Sequence, residues 1–401
     1  MRKWIIGILV VLAAAGGIFW GTADKDRRGV ILNMPTNKDV LFWSLKQRDA
    51  AFRALDRIPI LSKSRKIAAG KKVHPLPAGS PLDVGMDVDA YMKDQRTAGL
   101  VIVQDGKIRL EKYGLDFSAE GRWTSFSVAK SFTSTLVGAA IKDGYIKSIN
   151  DKVSDYIPDL KGSVYDDVTI KQLLTMTSGV KWNEDYGDPK SDVARFNAHK
   201  AEQGVDVTVS YMRKLGREAP PGTKWSYKTG ETNLIGVLVS SATKKNLSEY
   251  LSEKIWQPFG MELDASWMLG PTGHEISGCC IQASTRDYAR FGLFILGGGI
   301  AQGKPVLPDG WIAEATTTWA ETNRPEYGYG YQWWTLKDGS YAARGIFGQG
   351  IFIDPKRKLV IASNSNWPYA SDRQGGDQDQ KRTTFYRQVQ QAIDNEAKAG
   401  K

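Results

Sequence analysis

Histidine is scarce in this 401-residue chain: there are three, His74, His199 and His274. None lies in a suggestive motif, and neither a G-x-S-x-G nor an H-E-x-x-H string occurs. A Ser-His-Asp triad would have to recruit one of these isolated imidazoles. Cysteine is scarcer still. Cys279 and Cys280 are adjacent, which reads as two small buried side chains, with no disulfide framework and no metal site. Internal repeats and low-complexity tracts are missing. A net charge is also missing from most of the chain. Of 54 Lys/Arg and 44 Asp/Glu, residues 1–75 hold 15 and 5, so the remainder carries 39 of each. That neutral body lacks the electrostatic footprint of a nucleic-acid binder.

What is present reads as a globular protein, 41% hydrophobic and 10% aromatic, able to bury a sizeable core. The chain starts with Arg2-Lys3 and an unbroken apolar run from Trp4 to Trp20, followed by small residues at Gly21-Thr22-Ala23. Residues 1–23 are therefore expected to be a signal peptide or an N-terminal membrane anchor, and the rest to be exported to the periplasm or held at the inner membrane. Residues 24–85 are basic and proline-punctuated, an arm laid over a domain that could touch anionic lipid. Further on, Asp105-Gly106 sits between two strand-like runs as a hairpin turn. Helical periodicity follows in "FSVAKSFTSTLVGAAIKDGYI", and strand-like runs return after residue 327. The expected fold class is α/β (α+β), an antiparallel sheet flanked by helices. Residues 86–145 and 275–401 would form the sheet domain and residues 146–274 a helical insertion.

Three S-x-x-K strings occur: Ser127–Lys130, Ser178–Lys181 and Ser241–Lys244. Chance supplies about two in a chain of this length, so context must choose. Ser178 stands at a helix end beside Gly179, and Ser241 precedes a solvated Lys-Lys-Asn stop. Only Ser127 opens a long amphipathic helix, with Lys130 one turn along. There the backbone N–H groups and the positive end of the dipole suit a serine that develops an oxyanion nearby. The residues alone leave it open whether Ser127 is a nucleophile or an ordinary helix-start serine. A lysine serving as its base would need a pKa roughly 3 units below the free value of ~10.4.

Three segments in this order, "SFSVAKSFTSTLVGAAIKDGYI", "VTIKQLLTMTSGVKWNEDYGDP" and "PPGTKWSYKTGETNLIGVLV", resemble the class C β-lactamase and penicillin-recognising serine hydrolase superfamily. Within it they are similar to the 6-aminohexanoate (nylon) oligomer hydrolases and related esterases. The resemblance runs from about residue 85 to 395. It implies a β-lactamase/DD-peptidase-like fold, an acyl-serine intermediate, no cofactor and no metal. It further implies Ser127 as nucleophile, Lys130 as base, and Tyr227 as the phenol that passes the proton to the leaving group. Thr229 departs from the amide or serine usual two residues after that tyrosine. Lys228-Thr229-Gly230 spells the family's K-T-G box but overlaps the tyrosine motif. The matching sheet edge is instead Gly345-Ile346-Phe347, where the Ile346 N–H would join that of Ser127 in an oxyanion hole. Tyr186 would contact a bound amide, with Asp185 or Asp192 nearby.

The expected activity is cleavage of an amide or ester in a small-molecule substrate. The alternatives are a D-Ala-D-Ala-type peptidase, a β-lactamase, or a catalytically silent envelope-binding domain. An apolar edge with Arg344 as its one cation favours uncharged esters or amides over β-lactams.

Overall fold

A computed structural model of the chain describes residues 17, 20–35, 39–58 and 62–399. Most of the apolar N-terminal run expected to be a leader or anchor lies outside these residues. Among them, no helix is long and apolar enough to cross a membrane.

An eight-stranded antiparallel sheet organises the molecule. Its strands are β1 (Thr97–Gln104), β2 (Lys107–Tyr113), β3 (Ala320–Glu321), β4 (Tyr327–Tyr329), β5 (Trp334–Leu336), β6 (Tyr341–Gly345), β7 (Gln349–Asp354) and β8 (Leu359–Ser365). They lie in the order β2-β1-β8-β7-β6-β5-β4-β3. The β1–β2 hairpin turns at Asp105-Gly106, both at positive φ (50° and 74°), as a type I′ turn requires. β1 pairs with β8, for example Ile102 with Ile361, so the early and late parts of the chain meet in one sheet.

Both faces of this sheet are covered, which explains why β1 reads "TAGLVIVQ" rather than alternating apolar and polar. Val101, Val103, Ile351 and Val360 point into the main core with α1 (Ala129–Lys142) and α3 (Thr285–Leu296). On the other face Leu100, Ile102, Phe352 and Ile361 meet Phe385, Val389 and Ile393 of α4 (Gln378–Ala399), spaced four apart on one side of that helix. Between α1 and residue 265 the chain is mostly short helices and loops, with α2 (Thr229–Thr243) packed against α1.

Two expectations need correcting. The basic arm is woven into the body as well as laid over it. Ser64–Ile67 pairs in antiparallel register with Ala265–Met268 as an edge of a second, four-stranded sheet. Phe52 is fully buried against Trp123, Phe126 and Phe347. Its sparse apolar residues, Phe52 and Ile67 among them, are the ones that go inside, which a weak periodicity hides. The cysteines, read as two separate thiols, are bonded to each other as Cys279–Cys280 in a turn where Cys280 takes φ of 75°.

Candidate active site

Ser127 lies in a single 3₁₀ turn, Phe126–Val128, that feeds directly into α1. The turn is held from several directions. Phe126 has a φ of 42°, an unfavourable region for a bulky residue, and persists there because its ring is clamped between Phe52 (5.0 Å) and Phe347 (5.4 Å). The Ser125 hydroxyl donates to the Phe126 carbonyl and accepts from the Ile281 N–H, both at 2.9 Å. From the sheet side, Gly345 at the end of β6 presses against the same turn. A Cβ there would sit 2.7 Å from the Ser125 carbonyl and 3.1 Å from the Ser127 nitrogen. Only glycine lets the strand come this close, and Ile346 follows it along the rim of the cleft.

Lys130, one helical turn from Ser127, is 1% exposed. Its ammonium nitrogen donates to the Gly278 carbonyl at 2.8 Å and to the Thr229 hydroxyl at 3.1 Å, and lies 5.3 Å from the Tyr227 ring centre. Among the described residues, no carboxylate touches it. Burial therefore dominates and lowers its pKa to about 8, with Glu184 acting in the opposite sense. The other two S-x-x-K serines have structural partners: Ser178 donates to the buried Glu231, and Ser241 donates to the Tyr156 carbonyl at 2.7 Å. Lys181 and Lys244 are exposed.

Tyr227 is half-buried beside Trp334 (5.7 Å) and Tyr329 (6.1 Å). Burial raises its phenol pKa, and a hydrogen bond with the Ser127 side chain pulls the other way. The neighbouring Lys228 points elsewhere. It is fully buried, donates to the Ser226 carbonyl and sits 3.8 Å from Glu231. The K-T-G spelling there is thus a buried ion pair, and no cation of it enters the cleft.

The loop after Trp182 supplies a residue that the motifs did not single out. The Glu184 carboxylate accepts from Tyr186 O–H (2.8 Å), Thr229 N–H (3.0 Å), the Thr229 hydroxyl and the Trp182 indole N–H. Its two-residue offset from Trp182 and from Tyr186 was the available signal. Tyr186 and Asp185 line the cleft, as do Gly345 and Ile346. Asp192 does not. Its carboxylate accepts from Asn183 N–H (2.7 Å) and Tyr211 O–H (2.9 Å), closing the base of the loop. Phe347 does not reach the cleft either, because its left-handed backbone (φ 59°) turns the ring, 1% exposed, into the aromatic cluster beneath Ser127.

The cleft encloses about 940 Å³. Trp225, Tyr227 and Trp334 form an aromatic wall. Arg324, Arg344, Arg373 and Arg382 line it as well. Three of these guanidiniums share the single Asp379 carboxylate, whose pKa they hold far below the usual range against the effect of burial. The sequence reading saw Arg344 alone, because Arg324 and Arg382 arrive from a loop and from α4.

A serine at a helix start, a buried lysine with a depressed pKa and a half-buried phenol on the same cleft are the groups that a serine hydrolase needs. A β-lactamase family model matches residues 87–384, and the chain belongs to that family. It is 30% identical over 297 residues to the 6-aminohexanoate-dimer hydrolase of Paenarthrobacter ureafaciens, covering 70% of this chain and 76% of that protein. A solved Bacillus anthracis structure assigned the same dimer-hydrolase name superposes with TM-score 0.73 at 22% identity, covering 88% of this chain and 95% of that one. A family VIII carboxylesterase superposes with TM-score 0.62 at 17% identity, covering 78% and 99%. At those identities the two structures speak for the fold.

Proposed function

We propose that the protein cleaves an amide or ester bond by acyl transfer through Ser127. The observation that carries this reading is Lys130: fully buried, held directly by two neutral oxygens, with a pKa of about 8. In its neutral form the amine takes the Ser127 hydroxyl proton as the serine oxygen attacks the substrate carbonyl. Charge on that carbonyl oxygen is received by the N–H groups of Ser127 and Ile346, each such donor contributing roughly 10²–10³ in rate. The high pKa of Tyr227 keeps it protonated, so it hands its proton to the leaving amine or alkoxide and is restored from Lys130. Water then repeats the sequence in reverse roles and frees the acyl group. Gel-based labelling with a fluorophosphonate is the test. Wild type should label and Ser127→Ala should not, whereas an unlabelled wild type would leave a silent binding domain.

The arginine-lined end of the cleft extends the reading to substrate. Three guanidiniums around one carboxylate, with Arg373 beside them, favour a substrate whose far end is anionic, such as an amide or ester with a free carboxylate. This revises the expectation of an uncharged substrate, which rested on Ile346 and Phe347 alone. The relatives' names, a dimer hydrolase and a carboxylesterase, fit a small amide or ester of this kind. We further propose that the Arg2-Lys3 start and apolar run direct export, placing this chemistry in the cell envelope. Fractionation of the full-length chain tests that, and recovery in the soluble cytoplasm would overturn it.

A further inference from the structure

The base that takes the serine proton must keep its lone pair free and aimed at Ser127. A neutral lysine amine has two N–H bonds and one lone pair. In this site the Gly278 carbonyl and the Thr229 hydroxyl oxygen take the two N–H groups, at 2.8 and 3.1 Å. The carbonyl can only accept. The hydroxyl could do either: a threonine whose proton is uncommitted can rotate and donate to the amine, occupying the lone pair that Ser127 needs. Here that proton is committed, because the Thr229 hydroxyl donates to Glu184. The Thr229 N–H holds the other carboxylate oxygen at 3.0 Å, so the threonine is gripped at two points and its rotor has no freedom. Trp182 and Tyr186 complete the shell, and the carboxylate has four donors.

We propose that Glu184 is a positioning residue for the general base. Acting through the Thr229 hydroxyl, it keeps the Lys130 lone pair turned to Ser127 and stabilises the ammonium that forms when the proton arrives. The proton balance is simple. The Ser127 O–H bond breaks, a third N–H bond forms on Lys130, and the positive charge so created faces a carboxylate one hydroxyl away. That geometry also accounts for Thr229 standing where relatives carry an amide or serine. A hydroxyl can pass the polarity of a carboxylate on to an amine, donating on one side and accepting on the other.

The inference rests on the Ser127–Lys130 reading above, which fluorophosphonate labelling tests independently. Its own test is the pH profile of kcat/KM with a p-nitrophenyl ester, measured on the purified protein and on Glu184→Gln. Glutamine keeps one oxygen for the Thr229 hydroxyl to donate to, removes the charge, and sets an amide NH2 where the Thr229 and Trp182 N–H groups had an acceptor. Loss of a nearby negative charge lowers the lysine pKa, so the acid limb should move to lower pH by about one unit. The plateau should fall roughly tenfold as the ammonium loses its charge-assisted partner. A limb that stays in place, with the melting temperature preserved, means Glu184 only ties down its loop, and overturns the proposal. Should Glu184→Gln fail to fold, the Thr229 pair decides. Thr229→Ser should keep the limb and Thr229→Val should move it down; a limb unmoved by both sinks the idea.

Discussion

Two completely buried lysines stand in two different motifs, and their surroundings make them different chemical objects. Lys130 faces a carbonyl and a hydroxyl, and its pKa is lowered to about 8 by burial. Lys228 faces Glu231, also fully buried, at 3.8 Å. A buried lysine beside a buried carboxylate is one half of a pair that holds its surroundings together. One held by neutral acceptors is poised to lose its proton. The sequence spells both as family signatures, S-x-x-K and K-T-G, and only the neighbours distinguish base from brace.

The comparison breaks first at Lys130. Lys130→Ala should lose activity by at least about 10³-fold, as much as Ser127→Ala, because nucleophile and base act as one unit. Esterase turnover of each variant checks this, with circular dichroism verifying that both remain folded. At Lys228 the expected damage is to stability instead. Lys228→Met leaves the Glu231 carboxylate buried without its cation and should cost about 3–5 kcal/mol. Urea unfolding measures that, and the molecules that remain folded should still label at Ser127. Full stability in this variant would mean that the pair contributes nothing and that the contrast fails.

A pH experiment sharpens the same contrast. Lys130 works as the free amine, so kcat/KM should rise with pH and level off above about 8, its lowered pKa. Below that value each pH unit should remove about tenfold, since the ammonium fraction grows in proportion to the proton concentration. A profile flat from pH 6 to 9 would assign the proton to another group. The smallest effect is expected at the arginine end. Wild type should prefer the p-nitrophenyl half-ester of a short dicarboxylic acid over p-nitrophenyl butyrate by roughly tenfold, the weight of one charge-assisted hydrogen bond. Arg324→Ala should reduce that preference while leaving the butyrate rate unchanged.

Much of the fold was legible because its signals are local. The Asp105-Gly106 turn, the helix after Ser127 and the strands at both ends of the chain follow from spacing and turn chemistry over a handful of residues. The triplet Ser127, Lys130 and Tyr227 was singled out through motif order, and the fold sets Lys130 beside the Tyr227 ring and both Ser127 and Tyr227 on one cleft. Phe347 and Asp192 were misjudged for a common reason. Strand alternation and loop proximity place a residue near a site, yet a left-handed φ at Phe347 and an inward hydrogen bond at Asp192 turn the side chain away.

By itself the sequence determined what lies in one turn of backbone: a serine at a helix start and a lysine on the next turn. What the tertiary structure alone decided is the state of those groups. Thr229 and Gly278 reach Lys130 from 99 and 148 residues away, and Glu184 reaches Thr229 from 45. Arg324, Arg344 and Arg382 converge on Asp379 from a loop, a strand and a helix. A pKa depends on what lies within a few ångströms and on how much water is excluded, and neither quantity is a property of neighbours in sequence.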